Sequence, residues 1–344
     1  MDHALRRKRL AARVEELELD ALLVTRLASV RYLTGFTGSN GQVLLARGDA
    51  VFFTDGRYAE QSAHEVPDLE RVIYRDGVAA AIAETCGRLG VSKVGFEAEG
   101  LTYRLWEELR QKAGAVELVP GVDEAARLRW VKDEEELELI ARAQETADRA
   151  FEEVVLSGLR EGTSERELAF ALELAMRRAG ADELGFPVIA AFGELAAEPH
   201  HHPTDRPLRR GDVVKLDFGA LVEGYHSDMT RTVAFGEPPA RLREVREVVA
   251  AAQRAGIGAV RAGATSAEVD RAARSVVEEA GLADRFPHGL GHGVGLEIHE
   301  GPFLRWDGDD VLPAGAVVTI EPGVYIPSLG GVRIEDMVLV TEDG

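Results

Sequence analysis

The feature that most constrains the fold of this chain is an internal repeat that ends in an acid. Gly211–Gly219 (GDVVKLDFG) matches Gly315–Gly323 (GAVVTIEPG) at a constant spacing of 104 residues, which aligns Asp217 with Glu321. Each copy also opens with a helix-capping pattern of a hydroxyl residue and a glutamate three positions later, Ser164 with Glu167 and Thr265 with Glu268. The repeat predicts two halves related by a pseudo-two-fold axis, each made of helices followed by a strand pair. Both acidic strand pairs would then face one shared site.

The residues around Asp217 have the period of a half-buried strand. Apolar side chains alternate with polar ones from Val213 to Gly219, so we expect Asp217 to point away from the core. The dipeptide Glu223-Gly224 predicts a turn, and the near-symmetry of the chain about it predicts that Asp217 and Asp228 face each other. Like charges on facing residues, roughly 5 Å apart at Cβ, destabilise a sheet unless a cation lies between them.

The second copy repeats this arrangement and adds a histidine. Glu321 and Glu335 are symmetric about a turn predicted at residues 327–331. His292 lies in the glycine-rich run GLGHGVG, where backbone and imidazole can approach a ligand closely. One such acid alone is typical of a solvated strand, but the repeat and the facing positions favour a shared function. Four carboxylates and one imidazole suit two divalent ions such as Mn²⁺, Co²⁺ or Zn²⁺, which activate water for hydrolysis.

Five short motifs carry a family resemblance: LDFG, HSDMTRT, GLGHGVGLEIHE, TIEPG and GGVRIED. In this order they resemble the motifs of pita-bread metallopeptidases, and the similarity to the prolidase and aminopeptidase P branch covers essentially the whole chain, including YLTGFTGSNG and FFTDGRYAEQ. The resemblance implies a creatinase/prolidase-like α/β amino-terminal domain at 1–122 and an α+β pita-bread catalytic domain at 123–344, with internal pseudo-two-fold duplication. Methionine aminopeptidases lack this amino-terminal domain, and creatinases lack the metal ligands.

The same resemblance implies roles for individual residues. Two divalent ions, Mn²⁺ first with Co²⁺ or Zn²⁺ as alternatives, are implied to bind Asp217, Asp228, His292, Glu321 and Glu335. The implied catalytic residues are His200, His299 and Glu321, the last also as a proton acceptor. The implied substrate-binding residues are His288, Arg333 and Arg305, although Arg333 could instead support the ligands or form a plain salt bridge. His201 and His202 are interpreted as polar loop residues without a catalytic role.

The function implied by the resemblance is hydrolysis of the Xaa-Pro bond of dipeptides by a dinuclear-metal peptidase. Two alternatives stay open: an Xaa-Pro aminopeptidase acting on longer peptides, and a non-enzymatic peptide-binding module on the same fold. A prolidase is expected to hold the carboxylate of its substrate with a basic residue just after the His-Glu-x-Pro run. This chain has Phe303 at that place and Arg305 two residues further, so the preferred peptide length is left open.

The composition argues against other classes of function. A net charge of −20 and a pI near 4.9 disfavour nucleic acid and anionic membranes as partners. The basic run Arg6–Arg9 precedes charged residues rather than an apolar stretch, and no segment has membrane-spanning length. The single cysteine, Cys86, is predicted to be a buried thiol. We expect a soluble cytoplasmic enzyme, and the resemblance alone implies a homodimer that acts on a proline-containing peptide.

Overall fold

The computed structural model describes residues 1–342, which fall into two compact units divided between Arg129 and Trp130. The division expected from the sequence lies after residue 122. The intervening helix, Glu124–Leu128, packs within the first unit, where Arg13 Nε donates to the Glu124 carboxylate at 3.0 Å. No helix among the described residues is both long enough and apolar enough to cross a bilayer.

The first unit is an α/β domain built on one six-stranded sheet. Its helices are α1 (His3–Glu16), α2 (Leu27–Thr34), α3 (Ala59–Glu65), α4 (Val78–Leu89), α5 (Tyr103–Lys112) and α6 (Glu124–Leu128). Its strands are β1 (Ala21–Val24), β2 (Gln42–Ala46), β3 (Asp49–Asp55), β4 (Glu70–Tyr74), β5 (Lys93–Phe96) and β6 (Glu117–Pro120), in the order β4-β3-β2-β1-β5-β6. Strand β2 is antiparallel to both neighbours and the other pairs are parallel. The predicted α/β pattern is confirmed, and Cys86 is buried as expected.

The second unit is an α+β domain whose helices are α7 (Glu134–Phe151), α8 (Glu165–Ala179), α9 (Ala240–Ala259) and α10 (Ser266–Glu279). Its strands are β7 (Glu183–Leu184), β8 (Ile189–Phe192), β9 (Asp212–Phe218), β10 (Ala220–Val222), β11 (Tyr225–His226), β12 (Met229–Phe235), β13 (Gly291–Gly293), β14 (Glu300–Leu304), β15 (Val317–Ile320), β16 (Gly323–Ile326), β17 (Gly330–Arg333) and β18 (Asp336–Leu339). The sheets of this unit have the orders β11-β10-β7, β12-β9-β8, β14-β13-β15-β18 and β16-β17.

The repeat read from the sequence is present in the second unit. Helices α8 and α10 begin with reciprocal capping boxes at Ser164 and Thr265, as predicted. In the first half, α8 packs against the apolar face of β9, which carries Val214 and Leu216. In the second half, α10 packs in the same way against β15, which carries Val318 and Ile320. Because strand side chains alternate, the acid that follows each apolar run is directed to the opposite side from the core.

The first acidic hairpin corrects one prediction. Asp217 pairs with Thr230 across β9 and β12, so the expectation that it faces Asp228 directly is wrong. The predicted turn is confirmed at Glu223 and Gly224, which have φ angles of 48° and 86° and form a two-residue connection. This turn displaces the register by two residues from the predicted one. An even displacement keeps both acids on the same face of the hairpin, where they are diagonal neighbours.

The second hairpin has the predicted register. Ile320 pairs with Asp336 on β15 and β18, and Gly323 pairs with Arg333 on β16 and β17. Glu321 and Glu335 lie opposite each other in the break between these two ladders. Their carboxylates therefore come from irregular backbone, whereas Asp217 lies within a regular strand.

Candidate metal centre

One cavity of about 580 Å³ in the second unit is lined by every site residue that the sequence singled out. The implied ligands that line it are Asp217, Asp228, His292, Glu321 and Glu335. The other implied site residues that line it are His200, His288, His299, Arg305 and Arg333. These residues come from loops and strands that are up to 135 positions apart in the chain, between His200 and Glu335.

The tightest cluster in the cavity is formed by Asp228, His292 and Glu335. Each offers one ligand atom, and these three atoms lie within 4.8 Å of one another. His292 Nε2 is 3.6 Å from Asp228 Oδ2 and 3.5 Å from Glu321 Oε1. Thr230 Oγ1 donates to Glu335 Oε2 at 2.6 Å, which orients that carboxylate. The His292 nitrogen and the three carboxylates therefore lie close together.

The carboxylates of the cavity strongly disfavour being ionised together. Burial, followed by repulsion from Glu335, Asp217 and Glu321, raises the pKa of Asp228 well above its ordinary value. Burial raises the pKa of Glu321 to about 8 even though the Arg333 guanidinium opposes the shift. Burial, then Glu321 and Asp217, likewise raises the pKa of Glu335 well above its usual range. Either protons or cations must neutralise this cluster.

These residues fit divalent metal ions. Arg333 Nη2 donates to Asp217 Oδ2, but the other oxygen, Oδ1, is buried without a hydrogen-bond partner among the residues that the structure describes. A buried carboxylate oxygen without a partner is costly and needs an ion or water to satisfy it. Together with the mutual repulsion of the other acids, this orphaned oxygen supports cation binding by an oxygen-rich ligand set.

The glycines around His292 are required by close backbone contacts. A Cβ on Gly291 would lie 2.0 Å from the carbonyl oxygen of Thr319, and one on Gly293 would lie 2.3 Å from that of Gly301. The Nδ1 atom of His292 lies 3.0 Å from the carbonyl oxygen of Gly293, so Nδ1 carries the proton and Nε2 is left with a free lone pair. Burial, followed by His299, lowers the pKa of His292 to about 4. The imidazole is therefore neutral at pH 7, as a metal ligand must be.

The guanidinium of Arg333 is fully hydrogen-bonded within the protein, in part to the ligand residue Asp217. It is 3% exposed, its Nε atom donates to Thr230 Oγ1 at 3.0 Å, and its Nη1 atom donates to the Tyr325 hydroxyl at 2.8 Å. With Nη2 on Asp217, each of its nitrogens has a protein acceptor. Of the roles considered from the sequence, this geometry favours orientation of the ligands over direct binding of a substrate carboxylate.

The three cavity histidines have different surroundings. His288 lies between Gly289 O at 2.8 Å and the Tyr325 hydroxyl at 2.9 Å, and burial, then Arg333, lowers its pKa to about 3. His299 stacks edge-on against His292 with ring centroids 4.4 Å apart, and burial lowers its pKa too. His200 follows Pro199 in a loop and lines the cavity. His288 is thus held by hydrogen bonds, His299 lies against a residue of the ligand cluster, and His200 lines the same cavity.

Sequence reasoning missed two buried residues that contact the lining of this cavity. Tyr325 is buried and links His288 to Arg333 through its hydroxyl. Lys215 is fully buried, its Nζ atom lies 5.1 Å from the centroid of the Tyr325 ring, and burial lowers its pKa to about 7. Its position two residues before Asp217, on the same strand face, was the available signal. The alternation that oriented Asp217 applies equally to Lys215.

Metal uptake at pH 7 should release at least one proton per chain. In the metal-free protein Glu321 is mostly protonated at this pH, because its pKa is about 8, and the pKa values of Asp228 and Glu335 are also raised. Cations displace these protons, while His292 is already neutral and releases none. Calorimetric titration in two buffers of different ionisation enthalpy measures the release. Binding heats that do not depend on the buffer would contradict this description of the carboxylates.

Comparisons with known proteins agree with this geometry. Residues 138–342 match the model of metallopeptidase family M24, and residues 6–131 match the creatinase/prolidase N-terminal domain. The chain is 37% identical to an Xaa-Pro dipeptidase of Pyrococcus furiosus, over 98% of this chain and 96% of that protein.

Two solved structures extend the comparison. An Xaa-Pro dipeptidase from Bacillus anthracis superimposes with a TM-score of 0.95 at 40% identity, over 99% of this chain and 96% of that one. An X-Pro aminopeptidase from Thermotoga maritima superimposes with a TM-score of 0.90 at 36% identity, over 98% of this chain and 95% of that one. The chain therefore belongs to metallopeptidase family M24, has the pita-bread fold of that family, and carries a creatinase/prolidase N-terminal domain.

Proposed function

We propose that this chain is a dinuclear-metal peptidase that hydrolyses the Xaa-Pro bond of dipeptides. The observation that carries the proposal is the convergence of four carboxylates and His292 in one cavity beside His200 and His299. Similarity to the Pyrococcus furiosus and Bacillus anthracis Xaa-Pro dipeptidases supports the same substrate class.

The cavity residues have separate proposed roles in metal binding and proton transfer. Two divalent ions held by Asp217, Asp228, His292, Glu321 and Glu335 would polarise the scissile carbonyl and acidify a water. Mn²⁺ is the proposed ion, with Co²⁺ and Zn²⁺ as alternatives, because the ligand set is rich in oxygen. The Glu321 carboxylate is the proposed acceptor for the proton that the attacking water loses.

The imidazoles of the cavity would stabilise the developing oxyanion and protonate the leaving nitrogen. As the carbonyl is attacked, its oxygen gains negative charge, and a donor held at the cavity wall stabilises that charge. The proline nitrogen leaves as an amine and needs a proton, because it was part of a tertiary amide. We assign these two tasks to His200 and His299, which line the cavity and have no place in the tight ligand cluster.

The free carboxylate of a dipeptide needs a cation at the cavity wall. Arg305 lines the cavity, and its guanidinium carbon lies 5.7 Å from the centroid of the Phe303 ring. Phe303 lines the same wall and is 38% exposed. We propose that Arg305, steadied by Phe303, pairs with this carboxylate. A peptide with a third residue would leave the guanidinium unpaired, which discriminates more strongly than the loss of one apolar contact.

Xaa-Pro dipeptides should be cleaved with a kcat/KM well above that for Xaa-Pro-Yaa peptides, by roughly 10-fold or more given the cost of an unpaired charge. The Arg305→Ala variant should lose most of this preference through a higher KM for dipeptides. Arg285→Ala is the matched control, because Arg285 lies outside the cavity and its side chain is 41% exposed. Both peptide lengths are assayed side by side with each protein. Equal or faster turnover of the longer peptides would assign the chain to aminopeptidase P instead.

A further inference from the structure

The backbone immediately before His200 is held by side chains from two strands. Lys215 Nζ donates to the carbonyl oxygen of Glu198 and lies 3.4 Å from that of Pro199. Arg333 Nη1 also donates to the Pro199 carbonyl, at 3.3 Å. Two buried basic side chains therefore donate to the two peptide carbonyls that come immediately before His200.

The residues that follow His200 in the same loop are held by a buried carboxylate. Glu165, at the start of α8, is fully buried, and its Oε2 atom accepts from Thr204 N at 2.9 Å and from Thr204 Oγ1 at 2.6 Å. His201 Nε2 lies 2.8 Å from the same oxygen, and His201 Nδ1 lies 2.8 Å from Glu198 Oε2. Each ring nitrogen of His201 therefore lies within hydrogen-bond distance of a carboxylate oxygen. The other Glu165 oxygen accepts from Phe192 N on β8 at 2.8 Å, which ties the loop to the sheet.

These contacts change the interpretation of His201. The sequence suggested a polar loop residue with little effect on activity, but its side chain is 4% exposed and lies between two carboxylates. Lys215 and Asp217 are two residues apart on the same face of β9. One strand therefore sets the position of a ligand of the centre and also the position of the loop that presents His200.

We propose that Lys215 and the Glu165–His201 pair are positioning residues that fix the His200 imidazole relative to the metal centre. The inference rests on the proposed catalytic role of His200. Because a displacement of about 1 Å in a catalytic group can lower a rate by about 100-fold, loss of either contact should reduce turnover through the position of His200.

Single substitutions give the first readout. His200→Ala should lower kcat by about 100-fold with metal content unchanged, on the scale usual for such groups. His201→Ala and Lys215→Met should each lower kcat by roughly 10-fold with little change in KM or metal content. Asp205→Ala is the control in the same loop, because the Asp205 side chain is 82% exposed and should leave kcat unchanged. An unchanged kcat in both His201→Ala and Lys215→Met would overturn the proposal.

A double-mutant cycle separates positioning from general destabilisation. In a His200→Ala background, His201→Ala or Lys215→Met should cause no further loss of kcat, because the group they position is gone. Losses that multiply would show a role independent of His200 and overturn the inference. If His201→Ala does not fold, His201→Gln takes its place in the same cycle, where it retains a donor toward Glu165.

Hydrogen exchange on the metal-free protein gives a readout that does not depend on activity. Amides of residues 198–204 should exchange faster in His201→Ala and Lys215→Met than in the wild type, and should not change in Asp205→Ala. Unchanged exchange in all three variants would overturn the inference. A His200→Ala variant with normal kcat would overturn both the role of His200 and this inference, whereas the proposed peptidase function is judged separately by cleavage of Xaa-Pro dipeptides.

Discussion

Complete removal of divalent metal by a chelator should abolish hydrolysis of Xaa-Pro dipeptides, and Mn²⁺ or Co²⁺ should restore it. The reason is electrostatic as well as chemical. Without cations the buried carboxylates around Asp228 and Glu335 take up protons, because their pKa values are raised by burial and mutual repulsion. A protonated cluster neither polarises a carbonyl nor activates water. Activity and metal content are measured on the same sample, before chelation and after it.

The control for this experiment is the integrity of the fold. Circular dichroism should confirm that the metal-free protein keeps its secondary structure, so that loss of activity reports on the centre and not on unfolding. Calcium should be a poor substitute, since it prefers six to eight oxygen ligands and the cluster includes the His292 nitrogen. Hydrolysis that persists in a sample verified to be metal-free would refute the proposed mechanism.

The Glu335→Ala variant should lose at least one of its two ions and reduce kcat/KM by about 100-fold or more. Glu335 is 1% exposed, belongs to the tight cluster with Asp228 and His292, and lies opposite Glu321 across the second hairpin. Its removal deletes one negative charge from the set that neutralises two divalent ions. The loss of turnover follows from the loss of the metal that this carboxylate would hold.

Elemental analysis of Glu335→Ala decides whether the residue is a ligand. The matched control is Glu278→Ala, because Glu278 is exposed near the end of α10 and should change neither metal content nor turnover. Two tightly bound ions in Glu335→Ala would refute the assignment of Glu335. A loss of metal in the control variant as well would show that any substitution in this unit destabilises the centre.

Strand alternation and the repeat were sufficient to predict the faces of the acidic hairpins. The apolar positions Val214 and Leu216 lie in the core, and Asp217 points away from it, as the alternation predicts. The register between Asp217 and Asp228 was predicted incorrectly, because the hairpin is centred between Glu223 and Gly224 and not one position earlier, which pairs Asp217 with Thr230. Glu223 adopts φ 48° in this turn, a conformation that glycine and asparagine usually supply, so the exact centre of the turn was not evident from residue types alone.

Contacts between distant segments were not predictable from the sequence. His201 is buried because Glu165, 36 positions earlier, reaches it from the first turn of α8. Glu165 lies inside the capping-box pattern, where an acid is ordinarily explained by the helix dipole and solvent. Lys215 is likewise buried by a loop that precedes its strand. Periodicity indicates which way a side chain points, but it does not indicate which segment covers it.

The most direct test of the central claim is a titration of the metal-free protein with Mn²⁺ while hydrolysis of an Xaa-Pro dipeptide is followed. The claim is that Asp217, Asp228, His292, Glu321 and Glu335 hold two ions at which the peptide is cleaved. The predicted result is no activity without metal and a rate that reaches its plateau only when two ions per chain are bound. A plateau at one ion per chain, or hydrolysis in the metal-free protein, would contradict it.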